Sequence, residues 1–228
     1  MKQKIILRIT IDLIMIIFLL IAMLCKVTGN FAHALIGFIL LLLFIAHHYI
    51  NICSYKSIFQ QINFNKLLNL TLLIVVITLL ITSILMAEMI FDSLSVVTVS
   101  MMGSGRVGVM AAIRKIHVLT ANWAFLLISI HLGRHLNYSH KFIKQFFSRI
   151  ICMKYPLIAL FTGYGIYSFF TMEMYYKLIL YYSYDYFDSS TSNLILFFQY
   201  LSIMMAGMLV THFLSKYIER IKKINQKS

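Results

Sequence analysis

Apolar runs separated by short polar breaks occupy residues 5–24, 31–52, 67–90, 109–135, 156–171 and 194–214. About 20 mostly apolar residues carry a helix across a hydrocarbon core roughly 30 Å thick, so each run reads as a spanning helix, the fifth being the shortest. No strand-like alternation separates the runs. A backbone in lipid must satisfy its own hydrogen bonds, which leaves helices as the element. The pattern predicts an all-α membrane protein of six transmembrane helices, a single domain over residues 1–228 with no soluble domain at either end.

The polar positions inside the runs carry the chemistry. His33 and His47 lie fourteen residues apart in the second run, and His117 and His131 repeat that interval in the fourth. Fourteen helical steps of about 100° fall within roughly 40° of whole turns and rise about 21 Å, so each pair shares one face and separates two depths of the bilayer. His48 and His135 leave the inner choice open. His33 to His48 adds an offset of about 60°, whereas His135 in place of His131 would lengthen the interval to about 27 Å. His47 and His131 keep one spacing on both helices and are preferred.

Composition agrees with a membrane setting: 61% of the 228 residues are hydrophobic, one is proline, and mean hydropathy is +0.87. The first run follows Lys2, Lys4 and Arg8 but contains Asp12 and lacks a small-residue cleavage site, so it reads as a retained helix. Asp12 follows Arg8 by one turn and is expected to neutralise it locally. Leu24 before Cys25 is too bulky for lipoprotein processing.

Charge sets orientation. In the six-helix arrangement fifteen of the twenty basic residues fall at the termini and in the second and fourth loops, among them Lys56, Lys66, Lys141, Lys144 and Arg149. Those segments and both termini are expected to be cytoplasmic, with Glu88, Asp92, Glu173, Asp185 and Asp188 outside. The net charge of +13 then reflects membrane topology and anionic lipid rather than nucleic acid. The second and fourth helices run parallel, so His33 is level with His117 and His47 with His131.

Two neutral imidazoles facing each other at one depth are what a b-type haem iron requires, and the sequence supplies that arrangement twice. Cys25, Cys53 and Cys152 lack the Cys-x-x-Cys-His spacing of covalent attachment. Arg114 and Arg134, each one turn from a histidine, are candidates for the haem propionates, although anchoring at the membrane interface accounts for them equally. Gly37 reads as porphyrin clearance or as helix packing. Trp123 reads as packing between the haems or toward lipid. Gly103, Gly105 and Gly108 satisfy G-x-G-x-x-G, but no strand precedes them, so they read as a connection into the fourth helix. The aromatic stretch 164–187 suits an interfacial belt with a short amphipathic helix on the outer surface, a place where a quinol site is conceivable.

The stretches HALIGFILLLLFIAHHYIN, from His33, and RKIHVLTANWAFLLISIHLGRHLN, from Arg114, resemble the flavinylation-associated cytochrome family, di-haem membrane cytochromes similar to cytochrome b. The resemblance extends over the whole chain. It implies two haem b groups in a helical bundle of the bacterial cytoplasmic (inner) membrane, carrying electrons between a cytoplasmic-side or quinol donor and an extracytoplasmic flavoprotein. Covalent FMN is expected on that partner, with a quinone or another redox subunit as a further partner. Without a dinucleotide-binding domain the chain reads as an electron-transfer subunit of an oxidoreductase system rather than an enzyme by itself. Two other readings stand beside it. One is a membrane metalloenzyme or metal transporter with a zinc or di-iron site near the cytoplasmic face made of His47, His48, His131 and His135, and the other is a structural subunit without cofactor.

Overall fold

The computed structural model describes residues 2–52, 64–87, 106–135, 154–179 and 192–225. They form seven helices: α1 (Lys2–Ala22), α2 (Cys25–Ile50), α3 (Phe64–Ala87), α4 (Arg106–His135), α5 (Lys154–Thr171), the single-turn α6 (Met174–Leu178) and α7 (Asn193–Asn225). Among the described residues there is no strand. Each expected run contains a helix among the described residues, and α7 extends furthest beyond its run. That helix continues past the apolar run through Lys216, Arg220 and Lys223 to Asn225, where the sequence turns polar without a helix breaker.

Among the described residues, four helical segments are long and apolar enough to cross a membrane: Cys25–Ile50, Lys66–Met86, Gly108–His135 and Asn193–Asn225; Ile158–Thr171 is a shorter apolar helix. The chain is an all-α, multi-pass membrane protein. Its exposed side chains agree. Leu35, Phe38, Leu42 and Ile45 on α2, and Ile74, Ile77, Ile81 and Ile84 on α3, form stripes of exposed apolar residues at helical spacing, a surface suited to lipid rather than water. On α2 that stripe lies opposite the face shared by His33 and His47, by about 180° at 100° per residue.

The packed core lies among α4, α5, α6 and α7. Phe125, Met172, Met174, Leu196, Tyr200, Ile203 and Met204 meet there, joined by Leu20 from α1. Small residues let the backbones approach. A Cβ on Gly165 would run into the Ser202 carbonyl oxygen and approach Ala206 Cβ at 2.7 Å, and one on Gly133 would strike the Met208 carbonyl. Close approach through small residues is how helices associate in lipid, where apolar burial gives no preference for a neighbouring helix over a lipid tail.

A short helix, α6, does form in the aromatic stretch. Met174 and Lys177 are buried, α6 packs against α4 and α5, and Trp123 donates its indole N–H to the Leu178 carbonyl at 3.1 Å. Trp123 therefore fastens α6 to α4 while keeping 42% of its surface exposed. Residues 180–187 of the aromatic stretch, Gly103 and Gly105, Cys53 and Cys152, the acidic Glu88, Asp92, Asp185 and Asp188, and the loop lysines Lys56, Lys141 and Lys144 with Arg149 lie outside the described residues.

The α1–α2 hairpin turns at Gly29, whose φ of 77° and ψ of 166° break α2 in a region that glycine alone adopts easily. Beyond the break α2 runs back along α1. Arg8 donates to the Ile50 carbonyl at 3.0 Å, placing a cation on the carbonyl end of α2. α2 buries no residue and packs mainly on α1, with a lighter contact to α3.

Candidate functional site

Three helices assemble the upper histidine pair. The Gly29 break and the return of α2 bring His33 beside the Ala22 backbone and opposite α4, where its ring meets that of His117 at a centroid separation of 6.1 Å and an interplanar angle of 82°. α3 packs along α4 and supplies the other partners of His117: the Thr82 and Ser83 hydroxyls stand 3.3 and 3.4 Å from its Nδ1. Both hydroxyls are held in turn, since each also donates to the Leu79 carbonyl. His33 Nδ1 is buried with no hydrogen-bond partner of acceptable geometry among the described residues.

This geometry fits a bis-imidazole iron. Metal-to-nitrogen bonds of about 2 Å on each side, plus roughly 1.2 Å from each nitrogen to its ring centre, place the two centroids about 6.3 Å apart. The two rings are free to turn about a shared axis, so a large interplanar angle is allowed. Contact through Nδ1 on His117 leaves Nε2 for a metal, as outer hydrogen bonds commonly do for ligating histidines. Gly37, one turn below His33, meets nothing within 4 Å where a Cβ would stand, so the open space beside it is not filled by a packed helix. Clearance on that face agrees with the absence of buried residues on α2.

The second histidine level gathers at the other end of the same helices. His47 Nδ1 lies 2.7 Å from Asp12 Oδ1 of α1, and His131 Nδ1 lies 3.1 Å from Asn69 Oδ1 of α3. Each contact again leaves Nε2 free. His131 lies within electrostatic range of His47, His135 and Asp12, although the His47 and His131 rings do not touch. His48 turns elsewhere: its Nδ1 donates to the Phe44 carbonyl of its own helix at 2.9 Å and its ring sits 3.9 Å from the Phe44 ring. The His135 ring lies 4.4 Å from that of His131, tilted by 50°. Arg114 and Arg134 act electrostatically on His117 and His131 respectively.

Two roles differ from expectation. Asp12 pairs with His47, not with Arg8, because Arg8 reaches past it to the end of α2. Asn69, Thr82 and Ser83 were not singled out as site residues. All three lie on the apolar run that became α3, and only the α3–α4 packing shows that they face the histidines of α4. Among the described residues no three His, Cys, Asp or Glu side chains converge on a point that would hold a metal ion, so the four-histidine cluster does not assemble. The chain matches no family model, no curated protein and no solved structure.

Proposed function

We propose that this chain is a di-haem b-type cytochrome that carries electrons across the membrane, with one haem between His33 and His117 and the other between His47 and His131. The observation that carries the reading is the 6.1 Å meeting of His33 and His117, two imidazoles 84 positions apart in sequence, at a separation suited to a shared iron. The hydroxyls of Thr82 and Ser83 orient His117, Asp12 orients His47, and Asn69 orients His131. Arg114 and Arg134 would balance propionate charge at the two ends. Bound haem iron would supply one-electron redox chemistry.

Six spans with both termini cytoplasmic would put the His47 level inside and the His33 level outside. The fourteen-residue interval then separates the two levels by about 21 Å, most of the apolar thickness. The donor would be a cytoplasmic-side protein or a quinol, and the acceptor an extracytoplasmic flavoprotein with covalent FMN, in a bacterial inner membrane. These partners rest on the family resemblance.

The test is to purify the full chain from cells supplied with haem and to quantify haem by pyridine haemochrome. Two b haems per chain are expected, falling to about one in His33→Ala and in His131→Ala. A colourless chain that binds zinc or iron would overturn the proposal in favour of the metal-site reading.

A further inference from the structure

We infer that Asp12 is a positioning residue that makes the two histidine levels chemically unequal, lowering the potential of the inner haem and so favouring electron flow from inside to outside. The inference rests on the di-haem reading above. Its basis is the difference between the groups behind each imidazole. The inner level has a carboxylate 2.7 Å from His47 Nδ1, whereas the outer level offers only neutral groups, the hydroxyls of Thr82 and Ser83 and the Leu79 backbone to His117 and the Ala22 backbone to His33. Arg8, the cation nearest to Asp12 in sequence, is engaged with the Ile50 carbonyl and makes no ion pair with it.

The physical consequence follows from the hydrogen bond. With Nδ1–H donating to a carboxylate, electron density shifts through the imidazole toward Nε2, making it a stronger donor to the iron. A stronger donor favours the more positive, oxidised iron, and the nearby negative charge acts in the same direction. Neutral hydroxyls do neither to the same extent. The inner haem is therefore the low-potential member of the pair.

The same contact distinguishes two adjacent histidines. Asp12 of α1 holds His47 from a second helix, whereas His48 is bonded to the Phe44 carbonyl of its own helix, with its ring 3.9 Å from the Phe44 ring.

The experiment is an optical redox titration of the haem-loaded full chain in detergent, comparing the native protein with Asp12→Asn, which keeps an acceptor oxygen but removes the charge. Low-temperature electron paramagnetic resonance of the oxidised forms is recorded alongside. The expected result is a shift of about tenfold in the oxidised-to-reduced equilibrium of the lower-potential haem, about 59 mV upward for one electron, with the other haem unmoved. Asp12→Glu should return the midpoint toward the native value, and Asp12→Ser, which imitates the outer level, should move it as Asp12→Asn does. His33→Ala identifies the haem concerned, because the one it leaves is the inner one. Two bound haems with neither midpoint moved by Asp12→Asn or Asp12→Ser, or with only the outer midpoint moved, would overturn the inference and leave the di-haem reading intact. Failure of the native chain to bind haem would overturn both.

Discussion

Gly133→Ala tests whether the inner histidine level is set by close packing of α4 on α7. Gly133 lies between His131 and His135, and an added Cβ would strike the Met208 carbonyl oxygen and stand 2.8 Å from Thr211 Cβ. Ordinary carbon–carbon contact needs about 3.5–4.0 Å, so the two helices must part by roughly 1 Å at that level. Overpacking of this kind costs about 1–3 kcal/mol, and a backbone obstacle that cannot swing aside places it in the upper part of that range. Replacing glycine by alanine inside a helix returns about 1 kcal/mol. The net destabilisation is about 1–2 kcal/mol, which for a chain of this size lowers the melting temperature by about 2–8 °C. Gly163→Ala is the control: it is exposed on α5, a Cβ there meets nothing within 4 Å, and it should leave the melting temperature unchanged or raise it. Thermal unfolding in one detergent, followed by circular dichroism, makes the comparison. A Gly133→Ala chain as stable as the native one and as Gly163→Ala would refute the close α4–α7 contact. Where haem is bound, the same substitution should disturb the inner haem spectrum more than the outer one.

Three further outcomes follow from the same contacts. Asn69→Leu removes the oxygen beside His131 Nδ1 and should weaken retention of the inner haem by about 10–100-fold while the outer haem stays, as measured by haem transfer to an apoprotein acceptor. Trp123→Phe keeps an aromatic ring but loses the hydrogen bond to Leu178, at a cost of about 0.5–1.5 kcal/mol, and should raise proteolytic cutting near α6; equal cutting in both proteins would count against that anchor. A fluorescent protein fused after Ser228 should mature in the cytoplasm, and an alkaline phosphatase fusion at the same point should be inactive, if the basic end of α7 faces inward.

The helices and the histidine register were legible because both are local properties. Apolar run length marks a span without reference to any neighbour, and the fourteen-residue interval puts His33 and His47, or His117 and His131, on one face of their own helix. The partners of those histidines were not legible. Asn69 on α3 and Asp12 on α1 lie far from His131 and His47 in sequence, and their roles depend on which helix packs beside which. The expectation for Asp12 failed because a one-turn spacing to Arg8 permits an ion pair without requiring it. The α1–α2 hairpin offers Arg8 the carbonyl of Ile50 and offers Asp12 the ring of His47. The hydrogen bond of Trp123 was hidden for the same reason, since its place on α4 could not reveal that Leu178 presents a carbonyl to it.

The position of the α1–α2 turn ties these observations together. Arg8 meets Ile50 and Asp12 meets His47, so α1 and α2 pair as an antiparallel hairpin whose centre falls at Gly29. Any other residue at Gly29 would have to hold a strained backbone or move the turn, although nothing lies within 4 Å to obstruct its side chain. A turn displaced by one residue would rotate α2 by about 100° relative to α1, carrying His47 away from Asp12 and His33 away from His117 together. One glycine far from the inner level thus governs both histidine levels, because α2 has no buried side chains of its own to hold it in register.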